Sequence, residues 1–247
     1  MNRIFILALV LTVSVNLHAQ SVRVAAAANL RYVLDEVKSL YLTAHPEVKV
    51  NITLGSSGAL LQQIINGAQF DLYMAADKTF PEKLKALGAA SGDVKTYAYG
   101  KLVLWSSLVD VSKGINAVAD KEVVHIAVAK PELAPYGERA IQCLKHYGLF
   151  DKVKDKIVYA DNIAQAAQYA STGNAEVGIL ALALLFAPDM KEKGKYFLID
   201  TSSYKPVEQA CVLVKTRERN PEAPAFMDFV LSNACKPLFE KYGYWVP

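Results

Sequence analysis

Strand-like apolar runs and helix-spaced apolar positions alternate along almost all of this chain, a pattern that restricts it to α/β architectures on parallel or mixed sheets. Residues 22–27, 48–54, 70–76, 101–107, 123–129, 156–160, 176–182 and 208–214 read as strands. Helical spacing lies between and after them at 32–42, 60–65, 81–87, 137–147, 163–171, 223–232 and 237–244. No Gly/Ser-rich tether interrupts the pattern, so any division into lobes has to pass along strands. Two strands flanked by polar turns, near 100–107 and 204–214, bracket a central block of domain size. The expectation is one lobe made of 20–102 and 208–247, a second of 103–207, and a cleft where the chain crosses twice.

With 247 residues, 53% of them hydrophobic and 21% charged, the chain has the balance of a soluble globular protein with a substantial core. Residues 1–19 combine one basic side chain, Arg3, an apolar run over 4–15 and a small residue at Ala19. About 12 apolar residues fall short of the roughly 20 that cross a bilayer, so a secretory signal cleaved after Ala19 is expected rather than an anchor. Loss of Arg3 with that signal lowers the net charge from +3 to +2, too little to attract nucleic acid or an anionic membrane. In the oxidising compartment that export implies, Cys143, Cys211 and Cys235 could form one disulfide, with Cys211 and Cys235 as the expected pair. The alternative is that all three serve as small core hydrophobes.

The chemistry concentrates at the strand-to-helix junctions. The first, "VAAAANLRYVLDEV" (24–37), carries no charged side chain where the strand gives way to the helix. The second, "LGSSGALLQQI" (54–64), repeats it with small polar residues, and Ser56 or Ser57 is placed to cap the helix. "APYGERA" (134–140) and "ADNIAQAA" (160–167) supply two more in the central block, where Asp161 or Asn162 is a natural cap. A helix start carries backbone N–H groups without intrahelical partners and the positive end of the helix dipole, and so suits an anion. The carboxyl ends of strands are also where α/β folds gather ligands.

Catalytic and metal readings find less support. "GSSGA" has Ala59 where a Gly-x-Ser-x-Gly elbow needs its second glycine, and no Gly-Lys-Ser/Thr follows as in a phosphate-binding loop. His45, His125 and His146 stand in unrelated settings, and Cys143 with His146 gives one pair of ligand spacing without a second. No catalytic residue, no cofactor and no directly ligated metal are expected.

Taken together, "AAANL", "GSSGALLQQIINGAQFDLYMAAD", "APYGERA", "DNIAQAAQYASTGNAEVGIL" and "AFMDFVLSNACKPLFEKYGY" resemble, in order and spacing, the periplasmic molybdate-binding proteins of ATP-driven importers. The resemblance covers nearly all of the chain after residue 20. It implies a two-lobed type II periplasmic-binding fold, each lobe a mixed sheet flanked by helices, with molybdate or tungstate held in the hinge cleft. By position, Ala28 and Asn29 match the first anion-binding element of that family, Ser57 the second, Tyr136 the third and Ile163 the fourth. One branch of the family has serine where Asn29 stands and a tyrosine closing the strand that reads "GILA" here. Ala181 occupies that tyrosine's place, so Tyr136 is expected to supply the missing phenolic hydroxyl.

The resemblance fits the chemistry of the junctions. Molybdate is fully ionised at neutral pH and offers only acceptor oxygens, so its site needs N–H and O–H donors and no carboxylate. The implied partners are a small oxyanion and a membrane-embedded ATP-driven permease, with no nucleic acid, for a monomer working in the periplasm. The competing readings are a binding protein for another small anion or an organic solute, and a secreted hydrolase using Ser57. An amino acid would usually be met by an arginine for its carboxylate and an acid for its amine, and that pairing does not appear within the junctions' short cores, although Glu138 and Arg139 lie close by. A hydrolase needs a base within reach of Ser57, and none is evident.

Overall fold

The computed structural model describes residues 21–187, 190–217 and 220–247, so the expected signal at 1–19 lies outside the described residues. The first part of the chain runs β1 (Ser21–Ala27), α1 (Arg31–Ala44), β2 (Lys49–Gly55), α2 (Ser57–Ile65), β3 (Leu72–Ala75), α3 (Thr79–Ala86) and β4 (Ala90–Gly100). The middle runs β5 (Leu102–Ser106), β6 (Ile126–Ala129), α4 (Pro135–His146), α5 (Phe150–Val153), β7 (Ile157–Ala160), α6 (Ile163–Ser171), β8 (Val177–Ala181) and β9 (Lys195–Leu198). The chain then returns through β10 (Val207–Val214) to α7 (Glu222–Val230) and α8 (Lys236–Lys241).

These strands form two five-stranded sheets, ordered β2-β1-β3-β10-β4 and β7-β6-β8-β5-β9. In each, three neighbouring strands run parallel, and the strand that joins the lobes, β10 or β5, pairs antiparallel on both sides. The parallel strands follow from βα units whose helices cover the sheet faces. The chain changes sheet at Lys101 and again between Leu198 and Val207. Both changes fall slightly off the expected boundaries, because register decides them: Leu102 already pairs with Ala181 in the second sheet, and Val207 pairs with Gly100 in the first.

Amphipathic spacing places each helix. In α1, Val33, Leu34, Val37 and Tyr41 form one buried stripe against the first sheet, together with Phe226 of α7 and Phe239 of α8. On the other face, Leu60, Leu61 and Ile64 of α2 pack with Tyr73 and Leu84. The core of the second lobe surrounds Trp105, Val128, Ala140 and Leu180, and it continues across the seam to Ala27, Ala28 and Ala76 of the first. The two lobes therefore meet over small apolar side chains rather than a polar crevice.

Three features differ from the sequence expectation. The strand β4 was not anticipated, because Gly92, Asp93 and Lys95 are poor strand formers; its long irregular pairing with β10 holds it in place. The strand expected at 123–129 is confined to Ile126–Ala129. The expected Cys211–Cys235 disulfide is absent: all three cysteines are free and buried, each packed as a small hydrophobe. Burial pushes the thiols up, Cys211 to about 12 and Cys143 and Cys235 to about 11, so none is a ready nucleophile.

Between β1 and β3, Arg23 grips Asp71. Its Nε and Nη2 donate to the two carboxylate oxygens at 3.0 and 2.8 Å, and its backbone N–H donates to Oδ2 at 2.8 Å. Burial alone would push the Asp71 carboxyl up, but these bonds and a contact from Asn220 hold it below the ordinary carboxylate range. An acid with a lowered folded-state pKa stabilises the fold above its unfolded value and loses that contribution as pH falls through the folded one. Asp71→Ala should therefore cost about 2–3 kcal/mol at neutral pH. Chemical denaturation should show the gap to wild type full above about pH 4 and shrinking in more acidic buffer.

Candidate anion site at the lobe junction

Four helix starts converge on one small cavity between the lobes. Its lining comes from Ala27–Asn29, Gly55–Ser57 and Ala76 of the first lobe, and from Ala134–Tyr136 and Ile163 of the second. No lining side chain carries a charge. The volume is about 10 Å³, the scale of a single water. Wider grooves of about 350–570 Å³ also occur; one of about 450 Å³ runs between the starts of α1 and α6, lined by Arg31, Tyr32, Asn162 and Gln165, but none of them brings all four junctions together. A cavity this tight is far smaller than the roughly 300–1,000 Å³ pockets that enclose drug-sized ligands, and its scale suits a compact ion.

The helix starts are mostly left uncapped. Ala27 precedes a short 3-10 turn over Ala28–Leu30, and its side chain has nothing with which to cap it. Ser56 is the N-cap of α2, yet its side chain makes no capping bond. Ser57, the first residue of that helix, turns its Oγ to accept from the Ala76 N–H at 3.0 Å. With the acceptor side of Oγ used in this way, its own proton is available to an acceptor. Plain capping, the ordinary reason for a serine here, therefore does not account for either residue. Ala134 precedes α4 and cannot cap it, and Pro135 occupies the first turn without an N–H.

The fourth start is capped, but incompletely. Asn162 Oδ1 accepts from Ala164 N and Gln165 N, both at 3.0 Å, which satisfies the second and third N–H groups of α6. The first, on Ile163, is the one that this cap leaves over, and Ile163 is the residue that lines the cavity. Helix geometry likewise leaves the N–H groups of Ser57 and Tyr136 without intrahelical partners. The next N–H along α2, on Gly58, crosses the seam to Leu133 O at 2.8 Å and ties the two lobes together at the edge of the site.

A shell of buried polar side chains stands behind the first lobe's lining. Asn29 Nδ2 donates to Gln209 Oε1 at 2.8 Å and to Tyr244 Oη at 2.9 Å, and Tyr244 Oη donates to the Asn29 carbonyl at 3.0 Å. Tyr97 Oη lies 2.8 Å from the Ala75 carbonyl and 3.0 Å from Gln209 Oε1. Gln209 Nε2 in turn donates to Tyr136 Oη of the second lobe at 3.1 Å. Burial pushes the phenols of Tyr97, Tyr136 and Tyr244 well up, so each keeps its proton throughout the working range. Asp77 of the first lobe and Arg139 of the second are both buried, and Arg139 Nη1 pairs with Glu138 at 2.7 Å. Burial raises the Asp77 carboxyl, against the pull of the Phe80 N–H and Arg139.

All five sequence-selected residues, Ala28, Asn29, Ser57, Tyr136 and Ile163, line this one cavity. Neighbours engage two of their side chains, although the Tyr136 phenol only accepts and keeps its own proton to donate. Both hydrogens of the Asn29 amide are taken by Gln209 and Tyr244. The Tyr136 phenol is engaged by Gln209 and packs over Gly100, where an added Cβ would fall 2.0 Å from Oη. Gly137 lets the end of β6 approach the helix start: a Cβ there would sit 2.0 Å from the Ala129 carbonyl. Sequence reasoning missed Gln209, Tyr97 and Tyr244. Gln209 left one signal, an uncharged polar residue beside Glu208 in a strand whose other residues are apolar, and Tyr244 closes the "FEKYGY" motif.

A two-lobed α/β protein whose chain crosses twice between sheets, with a donor-lined cavity at the crossing, belongs to the class of solute-binding proteins. Residues 22–245 match the family of bacterial extracellular solute-binding proteins, and the chain is a member of it. It is 37% identical over 230 residues to the molybdate-binding protein ModA of Azotobacter vinelandii, covering 92% of this chain and 90% of that one. The ModA of Rhodobacter capsulatus is 35% identical over 241 residues, covering 96% and 93%. Among solved structures, the Azotobacter vinelandii periplasmic molybdate-binding protein superposes with a TM-score of 0.85 at 34% identity, over 92% of this chain and 99% of that one. The sulfate-binding protein SubI of Mycobacterium tuberculosis shares the fold alone, with a TM-score of 0.74 at 14% identity over 91% of this chain and 86% of that one.

The double use of Ser57 Oγ makes one substitution informative. Ser57→Ala should weaken molybdate binding by about 1.5–3 kcal/mol, the range for a hydrogen bond to a charged group, and lower ligand-free stability by about 1 kcal/mol as Ala76 N–H loses its partner. Calorimetric titration beside a ligand-free melt separates the two losses. A lowered melt with unchanged affinity would reduce Ser57 to a structural residue.

Proposed function

We propose that this chain captures molybdate or tungstate in the periplasm and delivers it to the membrane permease of an ATP-driven importer. One observation carries the reading: four helix starts, largely uncapped, meet at a compact cavity lined by donors and small side chains and by no charge. A tetrahedral dianion offers acceptors in every direction, and helix starts supply N–H donors together with the positive ends of their dipoles. The Azotobacter vinelandii and Rhodobacter capsulatus relatives, each matching more than nine-tenths of the chain, are both named molybdate-binding proteins.

In this reading the backbone N–H groups of Ala28, Asn29, Ser57, Tyr136 and Ile163, with the Ser57 hydroxyl, hold the oxygens. Tyr136 contributes through its amide while its phenol closes the seam, so the hydroxyl missing at Ala181 is made up by backbone donors. No carboxylate lines the cavity, so a protonated phosphate finds no acidic acceptor for its hydrogen. Several charge-assisted bonds to a dianion give useful affinity without a buried countercharge, which keeps release to the permease feasible. Neither a cofactor nor a catalytic group is needed for this task. The protein would act as a monomer whose segment 1–19 directs export.

Titration calorimetry with molybdate, tungstate, sulfate and phosphate tests the assignment. Molybdate and tungstate should bind, and a thousandfold excess over Kd should add about 4 kcal/mol to stability, which raises Tm by on the order of 10 °C in a chain this long. Binding of sulfate or phosphate with none of molybdate or tungstate would overturn it.

A further inference from the structure

The polar shell behind the cavity contains an unresolved polarity. Asn29 lines the cavity with 1% of its surface exposed, and its Oδ1 is buried without a hydrogen-bond partner among the described residues. Its nitrogen is spent inward on Gln209 and Tyr244. In this arrangement the free edge of the amide is an acceptor, which is the wrong polarity for a fully deprotonated anion and the right one for an anion that carries a proton.

A carboxamide has nearly the same shape after a half-turn, so its neighbours decide which end points where. Asn29 cannot turn alone, because its Oδ1 would then face Gln209 Oε1, acceptor against acceptor. If both amides turn, the contacts among the two amides and the phenols are kept with their directions reversed. The one bond given up is that from Tyr244 Oη to the Asn29 carbonyl, because a phenol has a single proton; binding of the anion has to offset that loss. Gln209 Nε2 donates to Asn29 Oδ1 and to Tyr97 Oη, whose own proton goes to the Ala75 carbonyl at 2.8 Å. Gln209 Oε1 accepts the proton of Tyr136 Oη, and Tyr244 Oη donates to Asn29 Oδ1. The edge of Asn29 left over is then an N–H donor. Gln209 is fully buried, and its amide also touches Tyr136 of the second lobe, so this choice is tied to lobe closure.

We propose that Gln209 is a specificity-determining positioning residue: coupled to Asn29, it sets whether the cavity shows the ligand a donor or an acceptor, and a fully deprotonated oxyanion selects the donor setting. Gln209 touches no ligand in this scheme and acts through Asn29. The proposal rests on the oxyanion reading above.

Calorimetry on wild type, Gln209→Met, Asn29→Ala and the double variant, with molybdate and with phosphate, supplies the test. Gln209→Met should weaken molybdate binding about tenfold or more and narrow the preference over phosphate, and the double variant should bind no more weakly than Asn29→Ala alone. A purely structural role would lower the melting temperature and leave the molybdate-to-phosphate ratio in place. Should Gln209→Met fail to fold, the wild-type side-chain amide spectrum decides: the Asn29 NH2 signal, identified by its loss in Asn29→Ala, should shift on saturation with molybdate. Additive losses in the cycle, or an unmoved Asn29 signal in a wild type that binds molybdate, would refute the coupled turn and leave the oxyanion reading standing. A wild type that binds neither molybdate nor tungstate would refute both.

Discussion

Every helix begins with N–H groups that its own backbone cannot satisfy, and burying them without partners costs as much as losing hydrogen bonds. Most helices answer with a side-chain cap or with water. In this protein the junctions at Ala27, Ser56 and Ala134 lack a side-chain cap, and the cap at Asn162 stops one N–H short. All four lie at one seam where the lobes close over small apolar residues, so their donors are turned toward a common point. The rest of the architecture serves that placement: parallel strands bring the helix starts to one end of each sheet, and the double crossover sets the two ends face to face.

Selectivity on this view comes from what the cavity leaves out as much as from what it contains. A lysine or arginine would hold a dianion strongly and indiscriminately, while a carboxylate would welcome a protonated phosphate. Alanines at 27, 28, 76 and 134 let ligand oxygens come close to the backbone and give no charge of either sign. The buried phenols behind them stay neutral, so the local field is made of fixed dipoles. The cross-lobe bonds Gly58 to Leu133 and Gln209 to Tyr136 lie beside the donors, which links closure of the lobes to completion of the site.

Much of this was legible in the residues. The alternation of strand and helix patterns announced an α/β chain. The four junctions were legible because helix-start chemistry is local: a strand, a few small residues and an apolar helix appear together in a short window; the choice of Ala28, Asn29, Ser57, Tyr136 and Ile163 within them came from the family resemblance. The parts that escaped are non-local. β4 exists by pairing with β10 rather than by propensity, and Gln209 and Tyr244 reach Asn29 across 180 and 215 residues of sequence. The same limit suggested a disulfide between cysteines that instead pack in the core.

The central claim is that the converging helix starts hold the anion directly through the backbone. Anomalous diffraction from crystals grown with tungstate tests it, since tungsten marks its own position. The account predicts a single strong peak inside the seam cavity, with oxygens within hydrogen-bond reach of the N–H groups of Ser57, Tyr136 and Ile163 and of the Ser57 hydroxyl. A peak outside that cavity, or one whose oxygens contact lysine and arginine side chains instead of helix-start amides, would contradict it.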